Sequence, residues 1–108
     1  MIHLTTSLAT EPRAFWGAYA ATKAGAEALM KAWADEIEST PVRVAIVDPG
    51  RMRTAMRAQA FPGEDPQEVI HPSAIGPMMV ELARGDLEPA LEVKFREWAT
   101  EPNISALI

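Results

Sequence analysis

Residues 19–50, YAATKAGAEALMKAWADEIESTPVRVAIVDPG, carry two periodicities in succession. Ala26, Leu29, Met30, Trp33 and Ile37 fall at i, i+3, i+4, i+7 and i+11, which predicts a helix over 19–38 with that face turned to a core. Ala21, Gly25, Ala28 and Ala32 form a second, uniformly small stripe. Small side chains at this spacing let another helix or a sheet approach closely, and alanine is equally a good helix former wherever it lies. Ser39-Thr40-Pro41 then breaks the helix. The β-branched, nearly continuous apolar run over 42–47 predicts a strand buried on both faces, closed by Asp48-Pro49-Gly50.

Upstream, Met1-Ile2-His3-Leu4-Thr5-Thr6-Ser7 is a β-prone run that dissolves into a polar turn, with Glu11-Pro12-Arg13 as its breaker. A strand over 1–7 would deliver hydroxyl groups at its end. Strand, helix and strand in this order make a βαβ unit with a right-handed crossover, hence an α/β fold with a parallel sheet. Downstream, Arg51 to Arg57 is a short helical piece, and Phe61-Pro62-Gly63-Glu64-Asp65-Pro66 is a loop, so 51–71 reads as an irregular excursion. Ile75, Met78, Met79 and Leu82 predict a helix over 73–84 that ends at Gly85, with Pro77 expected to kink its first turns and the methionines to fill a core. In the mixed tail over 86–108, Glu88-Pro89 and Glu101-Pro102 leave room only for a short strand around Leu91 to Phe95.

The 108 residues fit one small domain, and 48% hydrophobic with 23% charged content describes an ordinary globular chain. Ten basic against fifteen acidic residues, with no basic stripe, argue against nucleic acid as a partner. The absence of cysteine excludes disulfides, thiolate catalysis and Cys-based zinc sites. His3 and His71 stand far apart and read as a packed or edge strand residue and a helix-entry residue, so no metal site is expected. No apolar stretch reaches the roughly 20 residues of a membrane span, and the start is too polar for a signal peptide, so the default expectation is a cytoplasmic protein without a membrane partner. Trp16, Trp33 and Trp98 read as core or interface anchors, and Arg51, Arg53 and Arg57 as a solvated face with a cofactor phosphate as the alternative.

One pair invites chemistry. Tyr19 and Lys23 stand one helical turn apart on the same face. A phenol is a poor proton donor or acceptor near neutrality, and a fixed positive charge beside it stabilises the phenolate, so such a pair works as a general acid and base. Alone, a Tyr-x-x-x-Lys spacing is weak evidence, because such pairs more often belong to solvated helix faces.

The run Trp16-Gly17-Ala18-Tyr19-Ala20-Ala21-Thr22-Lys23-Ala24-Gly25 resembles the active-site helix of the short-chain dehydrogenase/reductase family. Thr5-Thr6-Ser7, with Thr6 thirteen positions before Tyr19, is similar to the family's catalytic hydroxyl strand. Val44 to Thr54 resembles its strand and Pro-Gly-x-x-x-Thr turn, and Arg53 through Pro62 further resembles a bacterial subgroup of uncharacterised oxidoreductases. The resemblance covers about Ile2 to Gly85. It implies the C-terminal part of a doubly wound, Rossmann-like parallel sheet and hydride transfer between NAD or NADP and a small carbonyl or alcohol substrate. By the same resemblance Tyr19 exchanges a proton with the substrate oxygen, Lys23 assists it and holds the nicotinamide ribose, and Thr6 or Ser7 hydrogen-bonds the substrate. Pro49, Gly50 and Thr54 orient the nicotinamide, and 51–71 is the substrate lid.

Threonine stands where the family commonly has serine, with Ser7 one residue later. The family's Asp-Gly-Gly motif is absent from the tail. No glycine-rich turn that would seat a pyrophosphate precedes these motifs, nor does the acidic or basic residue that would choose between NAD and NADP. The expectation is therefore half of a domain, inactive in isolation, with the strands at Thr6 and Val42 left with an open edge and uncovered faces. Its partners would be an N-terminal half or a second copy. The alternatives are a non-catalytic assembly piece that uses the small stripe, and a truncated product that does not fold.

Overall fold

The apolar run after Pro41 lies at the centre of the molecule. In the computed structural model, which describes residues 1–52, 54–85 and 90–99, three strands run parallel in the order β1 (Ile2–Leu4), β2 (Val44–Asp48), β3 (Ala90–Lys94). Ile2 lies beside Ala45 and Leu4 beside Val47 on one edge of β2, while Ala45 lies beside Leu91 and Val47 beside Val93 on the other. Four helices accompany the sheet: α1 (Gly17–Glu36), α2 (Ala55–Ala60), α3 (Gly76–Arg84) and α4 (Phe95–Trp98).

The alternation of a strand splits the β2 run between two cores. Val44 and Ile46 face α1 with Ala34, against which Met30, Trp33 and Ile37 pack. Ala45 and Val47 face the opposite side with Met52, Met78, Leu82 and Phe95. All four strand residues are at most 1% exposed. β2 is thus paired on both edges and covered on both faces, contrary to the open edge and uncovered faces expected of the Val42 strand. β3, expected only as a possible piece around Leu91, is what closes its second edge. The other edge of β1 pairs with no strand among the described residues.

Several expectations are corrected in detail. The first strand is shorter than 1–7, because the Thr6 hydroxyl accepts a hydrogen bond from the Leu8 N–H (3.4 Å) and caps a 3-10 turn over Ser7–Ala9. In α1 the residues that reach the sheet include Ala20, Glu27 and Ala34, whereas Leu29 is 64% exposed. Apolarity alone chose Leu29 over Glu27 for the inner face. Ala21, Gly25, Ala28 and Ala32 are all exposed, so among the described residues nothing makes the close approach their size would allow. The helix expected over 73–84 is divided into a 3-10 turn, Pro72–Ile75, and α3. Pro77 has no N–H for the Ser73 carbonyl, so the regular helix begins around it. The short helical piece is Ala55–Ala60, started by the Thr54 hydroxyl, which accepts from the Arg57 N–H at 3.2 Å. The expectations for Arg53, 86–89 and 100–108 lie outside the described residues.

Candidate active site

Parallel strands end side by side. The Thr5 N–H donates to the Val47 carbonyl at 2.8 Å, which brings the segments following β1 and β2 together at the carboxyl edge of the sheet, where open α/β sheets bind their ligands. Thr6 and Ser7 leave β1 in a turn that packs against α1. Pro49 and Gly50 leave β2, with the Gly50 N–H held by the Asp48 carboxylate at 3.0 Å. Gly50 has a φ of +73°, which favours glycine, and open space lies where its side chain would be.

Tyr19 lies in the first turn of α1 and Lys23 one turn on. The Lys23 ammonium is 6.0 Å from the centre of the Tyr19 ring and reaches toward the Leu4 carbonyl at the end of β1, a marginal contact at 3.5 Å. The same i, i+4 row continues into Glu27 and Lys31. Glu27 is 7% exposed. It accepts a hydrogen bond from the Thr5 hydroxyl at 3.1 Å and lies 3.6 Å from Lys31. Lys31 also reaches Glu92 on β3 at 3.1 Å; the hydrogen bond to Glu92, with help from Glu27, holds its ammonium above the usual lysine range. This row ties α1 to the end of β1 and to β3, so the helix that carries Tyr19 is fixed by polar contacts as well as by its apolar core. Glu27 escaped the sequence reading, although its place four residues after Lys23 was the signal available.

The excursion that follows is closed at its base by a parallel bridge between Met52 and Ile70. Within it Thr54 is occupied as the cap of α2, and Arg57 is not a solvated residue. Its guanidinium makes two hydrogen bonds to the Glu64 carboxylate, at 2.9 and 2.8 Å, and lies 4.2 Å from the centre of the Phe61 ring. The hydrogen bonds hold the Arg57 guanidinium above its ordinary range and the Glu64 carboxyl below its own. Trp16 is neither a core residue nor isolated: it meets Tyr19 edge to face and stacks on Phe61. His71 is the helix-entry residue expected, its Nδ1 accepting from the Ser73 N–H at 3.2 Å. His3 is packed in β1, with its Nε2 buried and without a hydrogen-bond partner among the described residues.

A family model of the short chain dehydrogenases matches residues 1–65. The chain belongs to the short-chain dehydrogenase family. It is 43% identical over 86 residues to the uncharacterised oxidoreductase YciK of Escherichia coli (strain K12), covering 80% of this chain and 34% of that protein. A chain from Escherichia coli CFT073 solved in complex with NADPH superposes with a TM-score of 0.78 and 38% identity, over 86% of this chain and 39% of that one. A chain from Shigella flexneri 2a str. 301 complexed with NADP gives 0.76 and 39%, over 84% and 39%. This short-chain dehydrogenase sequence thus spans little more than a third of its relatives, and the three-stranded parallel sheet is that part of their Rossmann-like fold. Among the described residues no helix is long and apolar enough to cross a membrane.

The residues that would meet a nicotinamide fit such a group. The open space at Gly50 allows close approach to the backbone, and among the described residues the Lys23 ammonium makes only a marginal contact, at the Leu4 carbonyl. A seat for the pyrophosphate is not formed by these residues, as no glycine-rich turn stands among them.

Proposed function

We propose that this chain carries the proton-transfer half of an NAD- or NADP-dependent oxidoreductase acting on a small carbonyl or alcohol compound. The observation that supports it most is the placing of Tyr19 and Lys23 on one face of α1, with Lys23 directed to the end of β1. Nicotinamide supplies the hydride when it is bound. Tyr19 exchanges the proton with the substrate oxygen, and the Lys23 ammonium, one turn further along the same face, holds the ribose. The Thr6 or Ser7 hydroxyl orients the substrate oxygen. Thr6 is engaged as a turn cap by its acceptor lone pair, which leaves its O–H proton available to donate. Pro49, Gly50 and Thr54 border the nicotinamide, and 54–66 covers the substrate. The pyrophosphate seat comes from outside residues 1–108.

The test is reconstitution: co-expression with the N-terminal portion of the Escherichia coli relative, followed by NADPH and NADH oxidation with a panel of carbonyl compounds. Turnover that disappears in Tyr19→Phe, with complex formation intact, is the expected result. Turnover unaffected by that change would overturn the assignment.

A second reading, a non-catalytic assembly piece, is favoured by the exposed small stripe and by Leu29 beside it. It predicts association that Tyr19→Phe leaves intact and Gly25→Leu disrupts, measured by sedimentation.

A further inference from the structure

A row of side chains from two distant parts of the sequence ends on Tyr19. The Trp16 and Tyr19 ring centroids are 5.7 Å apart with the planes at 74°, an edge-to-face contact. Phe61 lies nearly parallel to Trp16, at 13° and 6.0 Å. Phe61 is in turn held by the Arg57 guanidinium, which Glu64 fixes through its two hydrogen bonds.

No residue of α2 is buried, so this helix is not held by a core of its own. Its placing depends on contacts of the kind Phe61 makes. Trp16 is set to receive that contact by the left-handed φ of 71° at Phe15, which turns the chain just before α1 begins. We infer that Trp16 and Phe61 are positioning residues for Tyr19: their stack fastens the 55–64 segment over the first turn of α1 and fixes the plane of the phenol. The inference rests on the role proposed above for Tyr19. Closing the segment and aligning the proton donor are then one event, because the ring that anchors the segment is the ring that touches the phenol.

Tyr19 is the only tyrosine in the chain, so tyrosine-selective carbon-13 labelling of the 108-residue protein gives one ring signature by NMR. In the wild type its resonances are expected to be displaced by the Trp16 ring current, and Trp16→Leu to return them to the free-tyrosine position. Phe61→Leu keeps apolar bulk but removes the ring, at a site 41% exposed where the fold has little to lose. It is expected to move the Tyr19 resonances most of the way to their Trp16→Leu values, and Phe61→Trp to restore them, with the backbone circular dichroism unchanged in both. Tyr19 resonances indifferent to Phe61→Leu, or at the free position already in the wild type, would overturn the inference. These spectra judge the stack, while the Tyr19→Phe turnover judges the chemistry, so the two can fail separately.

Discussion

Phe15 holds a φ of 71° with its side chain fully exposed, at 105%. For an L-residue the left-handed region costs roughly 1–2 kcal/mol through the clash of Cβ with its own backbone. The ring buries no area that would offset this cost. Phe15→Gly removes the clash but frees the unfolded chain by roughly 0.5–1 kcal/mol, so the net stabilisation should be roughly 0–1.5 kcal/mol. Phe15→Asn tolerates the conformation without glycine's entropy and should gain about 1 kcal/mol. Phe15→Ala keeps the Cβ and loses no contact, so it should lie within about 0.5 kcal/mol of the wild type. Urea denaturation of the four proteins, with equal slopes, orders the midpoints Asn and Gly above Ala and wild type. An Ala variant destabilised by more than about 1 kcal/mol would show that the ring is covered in solution. A Gly variant less stable than the wild type would refute the strain itself.

Met78→Ala empties a fully buried site in the cluster of Val47, Leu82 and Phe95 and should cost about 2–5 kcal/mol in the same assay; a loss below 1 would mean that the cluster is loosely packed. Gly50→Ala meets no atom but must adopt φ +73°, so it should destabilise by roughly 1–2 kcal/mol through the backbone alone, read from the midpoint shift. The Arg57 hydrogen bonds hold the Glu64 carboxyl below its ordinary range. A group whose folded value is depressed contributes stability above its unfolded value, near about 4.3, and loses it as the pH falls through the folded one. The midpoint difference between wild type and Glu64→Gln should therefore shrink as the pH is lowered from about 6 to about 3; a difference that stays constant would disconnect the carboxylate from the fold.

Local periodicity was enough to read α1 and β2, because a helix face and a doubly buried strand are written in adjacent residues. The Tyr19–Lys23 pair was legible for the same reason, being one turn apart. What escaped depended on tertiary context. Glu27 lies on the inner face of α1 because Thr5 and Lys31 satisfy it, and a charged residue partnered from another element breaks an apolar pattern without breaking the fold. Phe61 meets Trp16 only after the chain has passed through β2 and turned back, so no spacing announced the contact. β3 was obscured because Glu92 and Lys94 alternate with Leu91 and Val93, the pattern of a strand with one polar face, in a segment bounded by prolines. The left-handed turn at Phe15 carried no glycine or asparagine to mark it.

The way the cores are divided explains how a third of a larger fold can hold a defined site. β2 has strands on both edges, α1 on one face and α3 with α4 on the other, all from residues within this chain. Most of the candidate residues are attached to that complete part: Tyr19 and Lys23 through α1, Pro49 and Gly50 through the end of β2, Thr6 through the Thr5–Val47 hydrogen bond. At β1, Met1 is 60% and Leu4 45% exposed, and the His3 Nε2 is buried without a partner among the described residues. A strand added at that edge would pair its open backbone groups and cover those side chains. It would do so beside the end of β1, where Thr6 emerges, so the sheet edge and the proposed site are adjacent. Reconstitution should then restore stability and cofactor binding together.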